Sequence, residues 1–211
     1  MDLANLRTRI DPWPLPGSGL LLFFYHSEQA TWGFDPKDRG SWRVVHIDDD
    51  AQNCSLRAAP SSPQSPTEYP EKPVEPYLIN TLPSWEDSRV EQLGMSDSEA
   101  DAYTDECSAV YVEQPAHQLF GHASPQQGND MDLECQLVSN GLYCGDSRGY
   151  ADPRAEALES GAADWRLLLQ VDSDDDADMM WGDLGMLYFW IRHEDLRSRN
   201  FENTWMILQC G

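Results

Sequence analysis

Arg166-Leu-Leu-Leu-Gln-Val-Asp172, then Gly185-Met-Leu-Tyr-Phe-Trp-Ile191, then Asn203-Thr-Trp-Met-Ile-Leu-Gln-Cys210: these three runs decide the fold. Each is short, rich in leucine, β-branched or aromatic residues, and flanked by glycine, asparagine or acids, which is how strands read. In the middle run both Leu187-Phe189-Ile191 and Met186-Tyr188-Trp190 are apolar, so that strand is expected to be central and covered on both faces. Residues 166–172 and 185–191 should pair as an antiparallel hairpin. Trp181 should fold back over the sheet, with Gly182 supplying unusual backbone angles.

Working outward, residues 19–26 (GLLLFFYH) and 42–47 (WRVVHI) read as a second strand pair, with Gly33, Pro36 and Gly40 punctuating the turn between them. Gly19-Leu-Leu-Leu-Phe-Phe-Tyr matches Gly185-Met-Leu-Tyr-Phe-Trp-Ile in character at every position. Each lies after an apolar–aspartate element, Asp2-Leu3 in one case and Val171-Asp172 in the other. Two divergent copies of one strand–loop–strand unit account for this. The first copy then needs a strand ahead of residues 19–26, for which only residues 1–6 are at hand. One side of that strand is expected to be poorly covered, favouring oligomerisation or marginal stability.

Residues 58–83 hold seven of the fourteen prolines, a density that suits neither helix nor ladder and marks a surface connector. Residues 84–111 have helical character, with Ser96-x-x-Glu99 as a capping box and Ala100, Tyr103 and Cys107 near one face. Asp152-Pro153 reads as an N-cap with proline at N1, opening a short helix through Ser160. The expectation is one β-rich α+β domain over residues 1–211: a roll-like mixed or antiparallel sheet with a few short helices.

Charge is the strongest compositional signal. Acids number 37 against 14 bases, a formal net charge of -23. Such a surface repels phosphate backbones, which argues against nucleic acid, and it steers in basic partners. No apolar run is long enough to span a bilayer, and the run at residues 20–25 is not followed by a small-residue cleavage site. Five scattered cysteines (Cys54, Cys107, Cys135, Cys144, Cys210) without a C-x-x-C pair point to reduced thiols and a cytoplasmic location.

Three patterns touch on chemistry. Gly145-Asp-Ser147-Arg-Gly149 matches G-x-S-x-G, with Asp183 and His193 following in hydrolase order. A nucleophile there needs a strand before it and a helix after it, and neither is legible. Asp172-x-Asp174-x-Asp176 begins like a calcium loop, and Asp178 and Asp183 extend the set. Ala177 stands where the loop needs its turn glycine, and Asp183 where it needs a bidentate glutamate. His117 and His122, five residues apart, lack a third ligand for zinc. No catalytic or cofactor-binding residue is assigned.

The blocks Trp165 to Asp172, Trp181-Gly-Asp-Leu-Gly185-Met-Leu-Tyr-Phe189, and Asp195-Leu with Phe201 resemble the C-terminal signature of the YwqG-like family. His117-Gln-Leu-Phe-Gly121-His122 with Gln126 or Gln127 resembles its central G-H/Y-x-x-x-Q stretch, and residues 19–25 with Trp32-Gly-Phe-Asp35 resemble its early strand pair. The resemblance implies a β-rich roll-like fold in a bacterial cytoplasmic protein and brings no activity. Related chains carry a glutamine–apolar–aspartate strand where Met1 stands here, so an N-terminally shortened chain is expected. The leading functional expectation is a non-enzymatic interaction module, an acidic binder of a basic protein in the manner of an immunity protein or antitoxin. The alternative is a metal- or small-molecule-binding protein using residues 172–183, and the third is a serine hydrolase centred on Ser147.

Overall fold

The computed structural model describes residues 1–7, 13–49, 53–55, 69–110 and 115–211. The sequence-derived strands fall where expected: β1 (Leu20–Tyr25), β2 (Trp42–Ile47), β4 (Trp165–Asp172), β5 (Met186–Arg192) and β6 (Trp205–Gln209), with a two-residue β3 (Gln118–Leu119) between β2 and β4. They form a two-stranded sheet, β1-β2, and a four-stranded sheet ordered β3-β4-β5-β6. Every pairing is antiparallel. The fold is α+β.

Among three successive leucines, 167–169, the register with β5 shifts: Leu167 lies opposite Trp190 and Leu169 opposite Phe189, leaving Leu168 as the extra residue of a bulge. All three side chains thereby find apolar surroundings, and Leu167 and Leu168 are fully buried.

Residue by residue, β5 presents two apolar faces, and each has its own cover. On one side the β1-β2 hairpin packs Phe23 against Phe189 at 5.1 Å between ring centroids, and Trp42 of the same hairpin meets Trp205 at the start of β6 at 4.9 Å. The turn after β1 also caps the outer edge of β6, where the Leu208 N–H donates to the Trp32 carbonyl at 2.9 Å. On the other side lies α4 (Met131–Ser139), with Met131, Cys135 and Val138 buried at the i, i+4, i+7 spacing of a helix face. Its Gln136 Oε1 accepts from Trp165 Nε1 at 3.0 Å and from the Arg192 guanidinium at 2.9 Å.

The two-copy reading has only a partial structural counterpart: where the first copy needs a strand, Asp2 makes a single bridge and Leu3–Leu6 form a short helix, α1. Asp2 bridges antiparallel to Leu20 as Asp172 pairs with Met186, the residues one beyond the matched glycines. At Gly19 an added Cβ would lie 2.3 Å from the Ile47 carbonyl oxygen, and at Gly185 2.3 Å from that of Gln209. The same close approach of a neighbouring strand therefore requires glycine in both copies. The copies differ in cover, since Phe24 is 53% exposed while β5 is buried or half-buried throughout.

Two expectations need correction. Asp152-Pro153 does not open a helix through Ser160. The Asp152 carboxylate accepts the Arg154 N–H at 2.9 Å and pairs with its guanidinium, so it shapes a turn; α5 (Ala155–Leu158) begins afterwards and tightens into a 3-10 segment at Glu159–Asp164. The 84–111 stretch is two helices, α2 (Ser88–Glu91) and α3 (Asp97–Ala109), and Tyr111 lies outside the described residues. The Ser96–Glu99 capping box is present, and the Ser96 N–H donates to Glu99 at 2.8 Å. Of the proline-rich connector, residues 69–83 are described and contain neither helix nor strand.

Gly185→Ala is expected to cost about 3 kcal/mol or more, because its Cβ would meet the Gln209 and Trp181 carbonyl oxygens and Cys210 within 2.6 Å. Gly128→Ala, where nothing lies within 4 Å, should change stability by less than about 0.5 kcal/mol. Urea unfolding of both variants checks the contrast.

Candidate functional site

Residues 116–128 run along and over the face of the four-stranded sheet that carries Gln170, Tyr188 and Gln209, and are irregular apart from the two ladder residues of β3. Outside that short ladder the segment brings unpaired N–H and C=O groups into the interior, and each must be satisfied. Among the described residues, four of the six buried polar side chains are glutamines, and three of them, Gln118, Gln170 and Gln209, serve this segment. An amide carries an acceptor and donors without a charge, so one side chain serves both kinds of backbone group. Gln170 Oε1 accepts the Ser124 N–H at 2.9 Å, and its Nε2 donates to the Ala116 carbonyl at 2.9 Å. Gln209 Oε1 accepts from the Gln126 and Gln127 N–H groups at 2.9 and 3.2 Å, and its Nε2 donates to the Gly128 carbonyl at 2.9 Å. Tyr188 Oη donates to the Ser124 carbonyl at 2.6 Å, and Gln118 Nε2 donates to the His122 carbonyl at 2.8 Å. Positive φ at Phe120 and Gly121 lets the segment turn within this clamp.

The clamp's margins hold most of the residues singled out from the sequence. Asp172 is buried and accepts the Ala116 N–H at 2.8 Å. His117 Nδ1 accepts the Asp172 N–H at 3.0 Å, which requires a neutral ring; burial also lowers its pKa, opposed by Asp172 and Asp174. Asp174 caps the 3-10 turn Asp175–Ala177 by accepting the Asp176 N–H, and sits 3.9 Å from His117 Nε2. Asp176 pairs with Lys72 at 3.9 Å, and Asp178 and Asp183 are exposed. The acidic loop is thus a hairpin tip in which Asp174 serves the loop's own backbone and Asp172 that of Ala116. Among the described residues, no group of three His, Cys, Asp or Glu side chains is placed to hold a metal ion. Trp181 folds back as expected, with Nε1 donating to the Asp172 carbonyl at 3.1 Å and its ring against Tyr25 and Tyr69.

Beyond the segment, the His122 N–H donates to Thr81 Oγ1 at 2.9 Å, fastening the described end of the connector. Burial lowers the His122 pKa, and the nearby Arg89 adds to that while Asp87 opposes it. Arg89 is itself paired with Asp87. His117 and His122 are therefore separated by function: one seals the acidic loop, the other faces the connector and α2.

Ser147 is exposed in a turn with no strand before it, so the context of an activated nucleophile is missing. Gly149 is explained by packing, since an added Cβ would lie 2.2 Å from the Tyr143 carbonyl oxygen. A shallow depression of about 210 Å³ beside it is lined by Leu142, Tyr143, Arg148 and Arg154 among others. Small-molecule sites usually exceed about 300 Å³. Both arginines are already matched, by Asp146 and Asp152.

One titratable group escaped the sequence reading. Glu134, on α4, accepts from Tyr150 Oη at 3.1 Å through Oε1, while Oε2 is buried without a partner. Burial raises its pKa to about 7. Helical spacing was the available signal, because Glu134 lies one position before buried Cys135 on a nine-residue helix. The same surroundings hold the Cys144 thiol up at about 12, through burial first and then Glu134. All five cysteines are free thiols.

A four-stranded sheet sandwiched between a hairpin and a glutamine-clamped segment defines a β-rich α+β domain whose sheet faces are closed. The chain belongs to the DUF1963 family, described as a domain of unknown function, whose model matches residues 1–210. No curated protein matches it.

Gln170→Leu is expected to cost about 2–4 kcal/mol, because Ser124 N–H and Ala116 C=O lose their partner; a urea melt measures it. Glu134 gives a pH signature. Its folded pKa lies above the unfolded value, so stability falls as pH rises from about 4.5 to about 7 and then levels off. Glu134→Gln should remove that slope and gain on the order of 1–2 kcal/mol above pH 7, with no gain at about pH 4.5. Denaturation across pH checks both limbs.

Proposed function

We propose that this protein is a non-catalytic docking module for a basic protein partner, an acidic binder of the immunity or antitoxin kind acting in the bacterial cytoplasm. The location follows from the YwqG-like resemblance and the reduced cysteines.

The observation that carries the reading is α3. Its thirteen residues include five acids and no base, and none of its side chains is buried. A helix that buries nothing against its own core gains little from packing. It is tethered through Tyr103 Oη, which donates to the Pro83 carbonyl at 2.8 Å, and through Cys107 near the same oxygen. Such a helix is held out as a charged surface. The overall charge of -23 extends its field, which raises encounter rates with positive partners and rejects negative ones. Closure of both sheet faces supports the same reading, since recognition is left to the outer surface.

A fluorescein-labelled oligolysine peptide is the direct probe. Its affinity, read by anisotropy, should fall at least about tenfold as salt rises from about 50 to about 500 mM. Asp101→Asn with Asp105→Asn and Glu106→Gln should weaken low-salt binding about threefold or more while leaving the fold intact, because Asp97 and Glu99 in the first turn are retained. Salt-independent binding, or an unaffected variant, contradicts the proposal.

A further inference from the structure

The chain after Tyr69 is fastened to the body at intervals. Tyr69 accepts from Gln29 Nε2 at 2.7 Å and packs on Trp181; Lys72 pairs with Asp176; Thr81 holds His122; and the Pro83 carbonyl receives Tyr103. Between and just beyond these fastenings, apolar side chains stay in solvent. Val74, Tyr77 and Leu78 are 75%, 65% and 70% exposed, and Leu82 and Trp85 are 43% and 50% exposed. A single exposed leucine is ordinary, but five large apolar side chains exposed within residues 74–85 are an unusual concentration.

The charge around them identifies what would cover them. Residues 69–110 contain ten acids and two bases. Both bases are already engaged, Lys72 with Asp176 and Arg89 with Asp87. An apolar row containing tyrosine and tryptophan, bordered by acids, has the anatomy of an interface core and rim. A second copy of the chain would bring the same negative border against itself, and so would a nucleic acid or an anionic membrane.

We propose that residues 74–85 are the apolar anchor of the docking surface, and that the partner is a basic protein presenting apolar side chains among its lysines and arginines. This rests on the acidic-docking reading above and adds the anchor to it. Charge brings the partner in, and burial of Tyr77, Leu78 and Trp85 sets how long it stays.

The test uses the full chain and two labelled peptides with equal lysine content, one with leucine at helical spacing between the lysines and one with serine in those places. At physiological salt the leucine peptide should bind at least about tenfold more tightly. Tyr77→Ser with Leu78→Ser and Trp85→Ser should bring that ratio to about one, with the serine peptide's affinity and the melting temperature unchanged. If the triple variant loses its fold, Leu78→Ser alone should still lower the ratio at least about threefold. Equal affinities for the two peptides, or a ratio that survives the substitutions, overturns the anchor and leaves the acidic-docking reading standing. Self-association that the triple variant abolishes also overturns it, by placing a second copy on these side chains. Failure of both peptides to bind even at low salt sinks the acidic-docking reading itself.

Discussion

The structure depends on a row of buried amides that lets an irregular chain lie flat on a sheet. Gln170 and Gln209 each satisfy backbone N–H and C=O groups of the overlying segment, and Tyr188, Gln118 and Asp172 supply the bonds between. Leucine at these places would leave several polar groups dry and unpaired, at a cost comparable to much of a small domain's net stability. Charged side chains would bring a desolvation penalty of their own. Glutamine meets both constraints, being neutral, two-sided and long enough to reach past the strand.

The clamp also positions part of what lies outside it. The segment it fixes carries His117, which closes the acidic hairpin by accepting the Asp172 N–H, and His122, whose N–H donates to Thr81 Oγ1. The second contact sets where the connector ends, and Pro83 then sets where α3 sits by way of Tyr103. A buried polar network thus determines the position of an exposed acidic helix and an exposed apolar row. The same clamp closes that face of the sheet.

The strands were legible because apolar runs of strand length speak directly, and the doubly apolar run at residues 185–191 identified the central strand correctly. The repeat was legible in part: glycines 19 and 185 both face a carbonyl oxygen of the next strand, and Asp2 and Asp172 both pair one residue beyond them, but Leu3–Leu6 are helical where the first copy needed a strand. What stayed hidden was the meaning of isolated polar residues inside apolar runs. Gln170 in RLLLQVD and Gln209 in MILQC read as interruptions, since a sequence does not say which distant loop will need an amide. The leucine triplet gave no sign of a bulge, and Glu134 looked like any helix-surface acid. The aspartates at 172–183 read as a charge cluster, whereas burial of Asp172 and capping by Asp174 give the inner ones local structural tasks.

Native-state hydrogen exchange at the clamped backbone amides tests this account most directly. The N–H groups of Ala116, Ser124, Gln126 and Gln127 lie in no helix and no regular strand, yet each donates to a buried side chain. They should exchange only through global unfolding, with opening free energies within about 1 kcal/mol of the slowest amides of β5. Exchange at these four positions through low-energy local opening, while β5 stays protected, would contradict the claim that the glutamine row holds the structure together.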